Sequence, residues 1–248
     1  MKRIRIVGLC IVAVFAFSAV AAATASAAPE IQNEKCVKAA KVEKKYTGSF
    51  NDKACTEANE AGEGRYTLEP VAEGTPFTSK SKAATFKVAG KVVTCKKDKD
   101  AGEYISGGFS FVTITFEGCY ANGNKHETCQ SGAEAGTITT NPLVGILVYI
   151  NEVETEHGIV LVPAESGWAS FKCGSETEAT ELEGGVLGTV TNTSKGETLT
   201  FSVNGGGEQA QRFYYAGETE GPINLTAGSE EATLVDVDAQ GPKGVGAF

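Results

Sequence analysis

The chain has 248 residues, of which 41% are hydrophobic and 21% charged, and its net charge is −9. This length is ample for a buried core, and the 30 glycines favour many tight turns over long helices. An acidic surface disfavours nucleic-acid phosphates and anionic lipid, so no nucleic-acid partner is expected.

Residues 1–27 have the layout of a secretory signal peptide. Three basic residues lie within the first five positions, an apolar run follows over Ile6–Ala23, and the small residues Ala25-Ser26-Ala27 close it. Cleavage after Ala27 is predicted, and the alternatives are a retained anchor or a lipid-modified Cys10. Since no second apolar run of spanning length follows, a secreted, extracellular protein without an integral membrane segment after cleavage is expected.

Residues 28–64 are predicted to form a short N-terminal segment stapled by a disulfide. The stretch Glu34–Lys45, EKCVKAAKVEKK, contains good helix formers and is the one predicted helix, although its apolar face is thin. Glycine, asparagine and aspartate residues typical of turns follow it, up to a short predicted strand in RYTLE.

From residue 65 to 248 the hydrophobic pattern has a period of two, which is typical of β-strands. ATFKVAGKVVTCK predicts a hairpin turning near Ala89-Gly90, and FSFVTITFEGC alternates strictly, with Phe111 on one side and Val112 on the other. GTITTNPLVGILVYI predicts a strand, a break at Asn141-Pro142 and an apolar strand. Seven further strand-like runs follow, from GIVLVP to ATLVDVD. The series predicts an all-β domain, an antiparallel sandwich or barrel of about 12–15 short strands.

Six cysteines remain after the leader, an even number that favours a disulfide framework outside the cytoplasm. The stretch CYANGNKHETC holds one of only two histidines, His126, but lacks the ligand spacing of a zinc site. Six cysteines allow fifteen connectivities. The pairs predicted here are two local bridges and one between strand ends: Cys36–Cys55, Cys119–Cys129 and Cys95–Cys173.

No assembled catalytic set is found in the sequence, so no catalytic residue and no cofactor-binding residue or cofactor is predicted. There is no G-x-S-x-G motif, and only His126 and His157 could serve as a histidine base. The many acidic residues after Ala101 leave open a carboxylate-dependent hydrolase acting on glycan or peptide, because sequence spacing does not tell which carboxylates face each other.

Two acidic features are weak metal candidates. In NEVETEHG, an extended backbone would place Glu152, Glu154 and Glu156 on one side of a strand next to His157, although such a pattern more often belongs to an exposed acidic hairpin tip. Two acidic turns, DKDAGE from Asp98 and DVDAQG from Asp236, resemble the start of a calcium loop, but neither completes it. These acidic features leave open the hypothesis that the protein is a calcium-dependent binding module.

The mature region resembles a group of secreted proteins of soil actinobacteria. The features shared are the paired cysteines around YTGSFNDKACTEANEAGEGRYTLEP, the runs KVVTCK and ITFEGC, and the strand break in ITTNPLVGILVYI. The resemblance implies secretion, a disulfide-containing β fold and no particular chemistry. Together with the residues it predicts a secreted non-enzymatic β protein, a binding or surface component whose partner is unknown. A cell-wall glycan or another surface protein is the class of partner considered.

Overall fold

The structure, a computed structural model, describes residues 31–88, 90–151, 156–193, 196–202, 213–215, 218–220, 223–227, 230–239 and 245–247. The predicted leader lies outside these residues. The described secondary structure consists of strands, numbered here in chain order, without a helix. The strands are β1 (Asn33–Lys38), β2 (Lys41–Val42), β3 (Lys45–Tyr46), β4 (Tyr66–Pro70), β5 (Pro76–Val88), β6 (Lys91–Cys95), β7 (Lys97–Tyr104), β8 (Phe109–Glu117), β9 (Tyr120–Ala121), β10 (Cys129–Gln130), β11 (Thr137–Thr139), β12 (Leu143–Tyr149), β13 (His157–Pro163), β14 (Ala169–Cys173), β15 (Thr180–Gly184), β16 (Val186–Thr193), β17 (Gly196–Phe201), β18 (Phe213–Tyr215), β19 (Glu218–Glu220), β20 (Leu225–Ala227), β21 (Glu230–Ala239) and β22 (Val245–Ala247). The prediction of an antiparallel all-β fold is confirmed.

The large antiparallel sheet curls on itself into a barrel. Eight strands pair in a closed cycle that runs β5, β7, β8, β12, β13, β16, β17, β21 and back to β5. The strands follow one another around this cycle in chain order, so long crossover connections are not needed. A closed cycle also leaves no free strand edge along its length, which removes a common site of unwanted strand pairing.

A second and smaller cycle of strands adjoins the barrel and is called here the small lobe. It runs β5, β6, β9, β10, β14, β15, β20, β21 and back to β5, and β9 is linked to β10 by an isolated bridge from Tyr120 to Thr128, the residue that precedes β10. The small lobe encloses the largest aromatic side chains of the core. Phe86 packs edge-on against Phe116 at 4.8 Å between ring centroids and against the fully buried Trp168 at 6.2 Å.

Strands β5 and β21 belong to both cycles. Residues 76–80 of β5 pair with β7 in the barrel, whereas residues 84–88 pair with β6 in the small lobe. The register between β5 and β21 shifts between Asp236 and Asp238, which is a β-bulge at the point where the chain passes from one lobe to the other. Bulges of this kind bend a strand and redirect its side chains.

Three disulfides join the six cysteines, and only Cys36–Cys55 is the pair predicted from the sequence. The predicted pairs Cys119–Cys129 and Cys95–Cys173 are wrong, because the structure pairs Cys95 with Cys119 and Cys129 with Cys173. The Cys129 N–H donates to the Cys119 carbonyl oxygen at 3.1 Å, so the backbones of all four cysteines converge in the small lobe. Cys129 and Cys173 are direct cross-strand partners on β10 and β14, and this register decides the pairing.

The N-terminal segment is a strand structure, so the predicted helix over Glu34–Lys45 is wrong. Its residues form β1, which pairs with β4 and β22, and the two-stranded hairpin β2–β3. β4 ends at Pro70, so the sheet of this segment extends beyond residue 64. The Asn33 side chain donates to the Gly107 carbonyl oxygen at 3.1 Å, which attaches the segment to one end of the barrel.

Candidate functional site

The interior of the barrel contains a polar cluster, which we call the aspartate–serine cluster. It consists of Ser79 and Ser81 on β5 and of Asp98 and Asp100 on the neighbouring strand β7. All four are buried, with 3% of Asp98, 6% of Asp100 and 9% of Ser81 exposed. β7 alternates between exposed and buried residues, and the buried positions of KDKDAGEY are the two aspartates, Tyr104 and, in part, a glycine. The strand therefore turns carboxylates inward where a sheet normally buries apolar side chains.

Each carboxylate of the cluster accepts a hydrogen bond at only one of its two oxygens in the described part of the chain. The Ser79 hydroxyl donates to Asp100 Oδ2 at 2.5 Å, and the Ser81 backbone N–H donates to Asp98 Oδ1 at 2.7 Å. Asp98 Oδ2, Asp100 Oδ1 and the Ser81 hydroxyl, all fully buried, have no hydrogen-bond partner among the described residues. Buried polar oxygens are nearly always bonded in folded proteins, so three in one cluster require an explanation.

Burial raises the pKa of Asp100 to about 7, and the Coulombic effect of the neighbouring Asp98 adds to this rise, although the Ser79 hydroxyl opposes it. The cause is the loss of water around a carboxylate that has no basic side chain near it to compensate its charge. The cavity next to Asp100 is lined by the polar residues Asn33, Ser79, Tyr104 and Ser110 and by apolar residues of the barrel, none of them cationic. The raised pKa favours the neutral, protonated form of Asp100 up to about neutral pH.

The space beside the cluster is small. The cavity measures about 30 Å³, which is the volume of roughly one water molecule. A sugar ring or a peptide bond does not fit beside Asp100, so the geometry gives no support to a carboxylate-dependent hydrolase. A second, shallow depression of about 450 Å³ lies on the surface over residues 175–180, where Lys91 forms an ion pair with Glu176. It has no nucleophile–base pair among its lining residues.

The weak metal candidates near His157 are only partly described. Glu152 and Glu154 lie outside the described residues, while Glu156 is exposed. The His157 ring packs against Tyr149 with 5.4 Å between ring centroids, and burial lowers the pKa of His157. Within the described ranges, no three His, Cys, Asp or Glu side chains are grouped as metal ligands. The prediction at Glu152, Glu154, Glu156 and His157 therefore gains no support.

The two acidic turns predicted at Asp98 and Asp236 are in fact strands. Asp98 lies in β7 and Asp236 in β21, so neither is part of a calcium loop. The sheet instead brings the two D-x-D sequences to either side of β5. Ser79 is the register partner of Asp100 on one side, and Ser81 is the register partner of Asp238 on the other. The sequence alone identifies the two D-x-D motifs but does not predict that their strands flank β5.

The outer surface of the same strands has the opposite charge. Five exposed lysines, called here the lysine face, lie on β5 and β7: Lys80, Lys82, Lys87, Lys97 and Lys99. Glu117 accepts from Lys97 at 2.6 Å and from Lys99 at 2.7 Å, and these two contacts lower the pKa of Glu117 to about 2. In the described part of the chain the other three lysines form no ion pair.

Comparisons with known proteins give no assignment: no protein-family model, no curated protein and no solved structure matches the chain. The described residues contain no helix long and apolar enough to cross a membrane.

Proposed function

We propose that this chain is a secreted, non-enzymatic protein that binds an anionic glycan of the cell wall through the lysine face. The leader pattern and the resemblance to secreted actinobacterial proteins favour export. The structure adds three disulfides, which persist in oxidising compartments. The cavity described inside the barrel measures about 30 Å³, too small for a sugar ring, so we assign binding to the outer surface.

The lysine face carries this proposal because three of its five lysines have no described ion pair and Glu117 is shared between the other two. Lys80 and Lys99 are direct register partners on β5 and β7, and like charges in such positions repel each other. Lysines two apart on a strand are separated by roughly 7 Å, and neighbouring strands by about 4.8 Å, so the face presents a closely spaced positive array. In a protein of net charge −9, this array is a local exception that an anionic polymer would neutralise.

The test is sedimentation of the purified protein with isolated cell walls across a range of salt concentrations. The triple variant K80Q/K82Q/K87Q removes the three lysines that have no described ion pair. It should bind at least about tenfold more weakly, since three exposed contacts of about 0.5 kcal/mol each amount to about one decade of affinity. Binding of the wild type should weaken as salt rises, because the contacts are between exposed charges.

A matched control removes the same charge elsewhere. The variant K44Q/K53Q/K125Q replaces three exposed lysines distant in sequence from the lysine face and should bind walls like the wild type. Equal loss in both triple variants would show that only net charge matters and would overturn the assignment to this face. No retention of the wild type at low salt would remove wall binding itself. N-terminal sequencing of the protein recovered from culture medium should begin at Ala28.

A further inference from the structure

The outer face of β8 changes in character along its length. Alternate residues of a strand point to the same side, and the residues between the outward ones are buried here. The outward residues are, in order, Phe109, Phe111, Thr113, Thr115 and Glu117. The strand therefore presents an aromatic end, a middle part with hydroxyl groups and an acidic end. We call Phe111, Thr113, Thr115 and Glu117 the β8 track.

Two members of the lysine face lie over the acidic end of the β8 track. Lys97 and Lys99 on β7 are the register partners of Glu117 and Thr115, respectively. Both lysines donate to the Glu117 carboxylate, at 2.6 and 2.7 Å, so their ammonium groups reach across from β7 to β8. One carboxylate does not neutralise two ammonium groups. A net positive charge therefore remains beside Thr115, and it attracts a further anionic group.

The middle of the β8 track offers hydroxyl groups that the fold does not use. Thr113 has the small residue Ala101 as its partner on β7, and Thr115 has Thr139 as its partner on β11. Thr139 bonds the Ser131 hydroxyl through its backbone N–H and carbonyl oxygen, not through its own hydroxyl. Among the described residues, the hydroxyls of these three threonines have no hydrogen-bond partner. Each can donate to and accept from the hydroxyl groups of a sugar.

The other end of the β8 track carries an exposed aromatic ring. Phe111 is 40% exposed, whereas Phe109, next on the same face, packs against Tyr215 with 6.4 Å between ring centroids. The face of an aromatic ring attracts the C–H groups on the apolar side of a sugar ring. Thr115 and Phe111 are separated by roughly 13 Å along the strand, at about 3.3 Å per residue, which suits an oligosaccharide of a few units.

Glu103 decides which sugar fits at the aromatic end. It is exposed on β7 and is the register partner of Phe111, so a carboxylate of the ligand placed there would be repelled. The charges on β7 thus change from positive beside Thr115 to negative beside Phe111. A ligand that follows the track has an acidic sugar at one end and a neutral sugar at the other.

We propose that the β8 track binds an oligosaccharide that contains both uronic acid and neutral sugars. Its carboxylate lies at Lys97 and Lys99. Its hydroxyl groups contact Thr113 and Thr115, and a neutral ring packs on Phe111. A uronic acid is favoured over a phosphate because the two lysines already bind a carboxylate. This inference rests on the proposed wall binding and gives the glycan a composition and a direction along the strand.

The test is titration calorimetry with two soluble probes at low salt. A hyaluronan hexasaccharide alternates uronic acid with a neutral sugar, whereas a galacturonate hexamer carries a carboxylate on every ring. The wild type should bind the hyaluronan probe at least about threefold more tightly, although this probe has half as many carboxylates. E103Q should reduce the preference by improving binding of the galacturonate hexamer. Equal affinity of the wild type for both probes, or no binding of the hyaluronan probe, would overturn the proposal.

Two variants test the track itself. T113V/T115V removes the hydroxyls and keeps the shape of the side chains, and F111T removes the ring and keeps a good strand former. Each should weaken binding of the hyaluronan probe by about fivefold, which corresponds to roughly 1 kcal/mol. All three positions face outward, so both variants should melt at the wild-type temperature.

Matched controls change the same residue types on other outward faces. Thr189 and Thr200 are register partners on β16 and β17 and are also half-buried, but their other partners are Gly158 and Val237 rather than lysines. T189V/T200V should therefore bind the hyaluronan probe like the wild type. So should V92T, which replaces an exposed apolar residue of the small lobe.

The outcomes separate this site from wall binding. Wild-type affinity in T113V/T115V, or an equal loss in T189V/T200V, would overturn the β8 track. Wall binding would still stand if K80Q/K82Q/K87Q failed to sediment with walls. Binding of the hyaluronan probe that falls in T113V/T115V, without retention of the wild type on walls, would support the track and overturn only the wall as the source of the glycan.

Discussion

The buried carboxylate of Asp100 should make the stability of this protein fall as pH rises. Its pKa in the folded protein is raised to about 7 from an ordinary value of 3.8. A group whose pKa is raised on folding contributes its stability below the unfolded value and loses it as pH rises through the folded value. At about 1.4 kcal/mol per unit, the total loss between these limits is about 4 kcal/mol, and about 3 kcal/mol of it falls between pH 5 and 8.

The assay is urea unfolding in the presence of a chelator at pH 5, 6, 7 and 8, for the wild type and for D100N. Asparagine has the same shape as aspartate and does not ionise, so D100N should lose the decline with pH. E103Q is the matched control, since it neutralises an exposed acid on β7 and should keep the wild-type slope.

The quantity to compare is the difference in unfolding free energy between the wild type and D100N at each pH. A second buried group, His157, changes stability with pH in the opposite direction. Burial lowers the pKa of His157, so this residue costs stability as pH falls below its unfolded value, in every variant alike. Subtracting the D100N curve from the wild-type curve removes that contribution. Parallel curves for the wild type and D100N would refute the assignment of a neutral, protonated Asp100 to the folded state.

Two further predictions concern the small lobe. C129A/C173A opens a loop with a sequence separation of 44 residues and should lower the free energy of unfolding by about 4 kcal/mol, measured by urea unfolding, while a peptide map without reduction should show this pair joined. G184A should be far more destabilising than G90A, although both glycines have positive φ, because an added Cβ at Gly184 collides with the Asn224 carbonyl oxygen whereas Gly90 has open space. Equal melting temperatures for the two glycine variants would contradict this packing.

Much of the fold could be predicted because its strands bury apolar residues on one face. The strict alternation around Phe111 and Val112 is confirmed by burial of Val112 and exposure of Phe111 in β8. The turn at Gly90 lies between β5 and β6, where the sequence predicts it, whereas Ala89 is outside the described residues. Glu34–Lys45 was misread because its residues are good helix formers, whereas the Cys36–Cys55 bridge and pairing with β4 hold part of it as a strand.

The candidate site could not be predicted, because its strand reverses the usual pattern. In KDKDAGEY both alternating positions are charged, so hydrophobicity shows no period there, and the residues pass for a solvated turn. The signal that exists is the pairing of a D-x-D with S-x-S in a preceding strand, which becomes meaningful only once the register is known. The disulfide pairs of the small lobe were missed for the same reason, since sequence distance does not give the register of β10 and β14.

The sharing of β5 and β21 has a consequence for how the molecule is assembled. β5 ends at Val88 and its neighbour β21 begins at Glu230, so neither lobe is complete until nearly all of the 248 residues are available. Contacts that distant in sequence form slowly, which leaves the intermediate chain exposed to proteases and to misassociation. Because β5 and β21 are shared, separating this strand pair disrupts the barrel and the small lobe together. Both lobes should therefore melt in a single cooperative step.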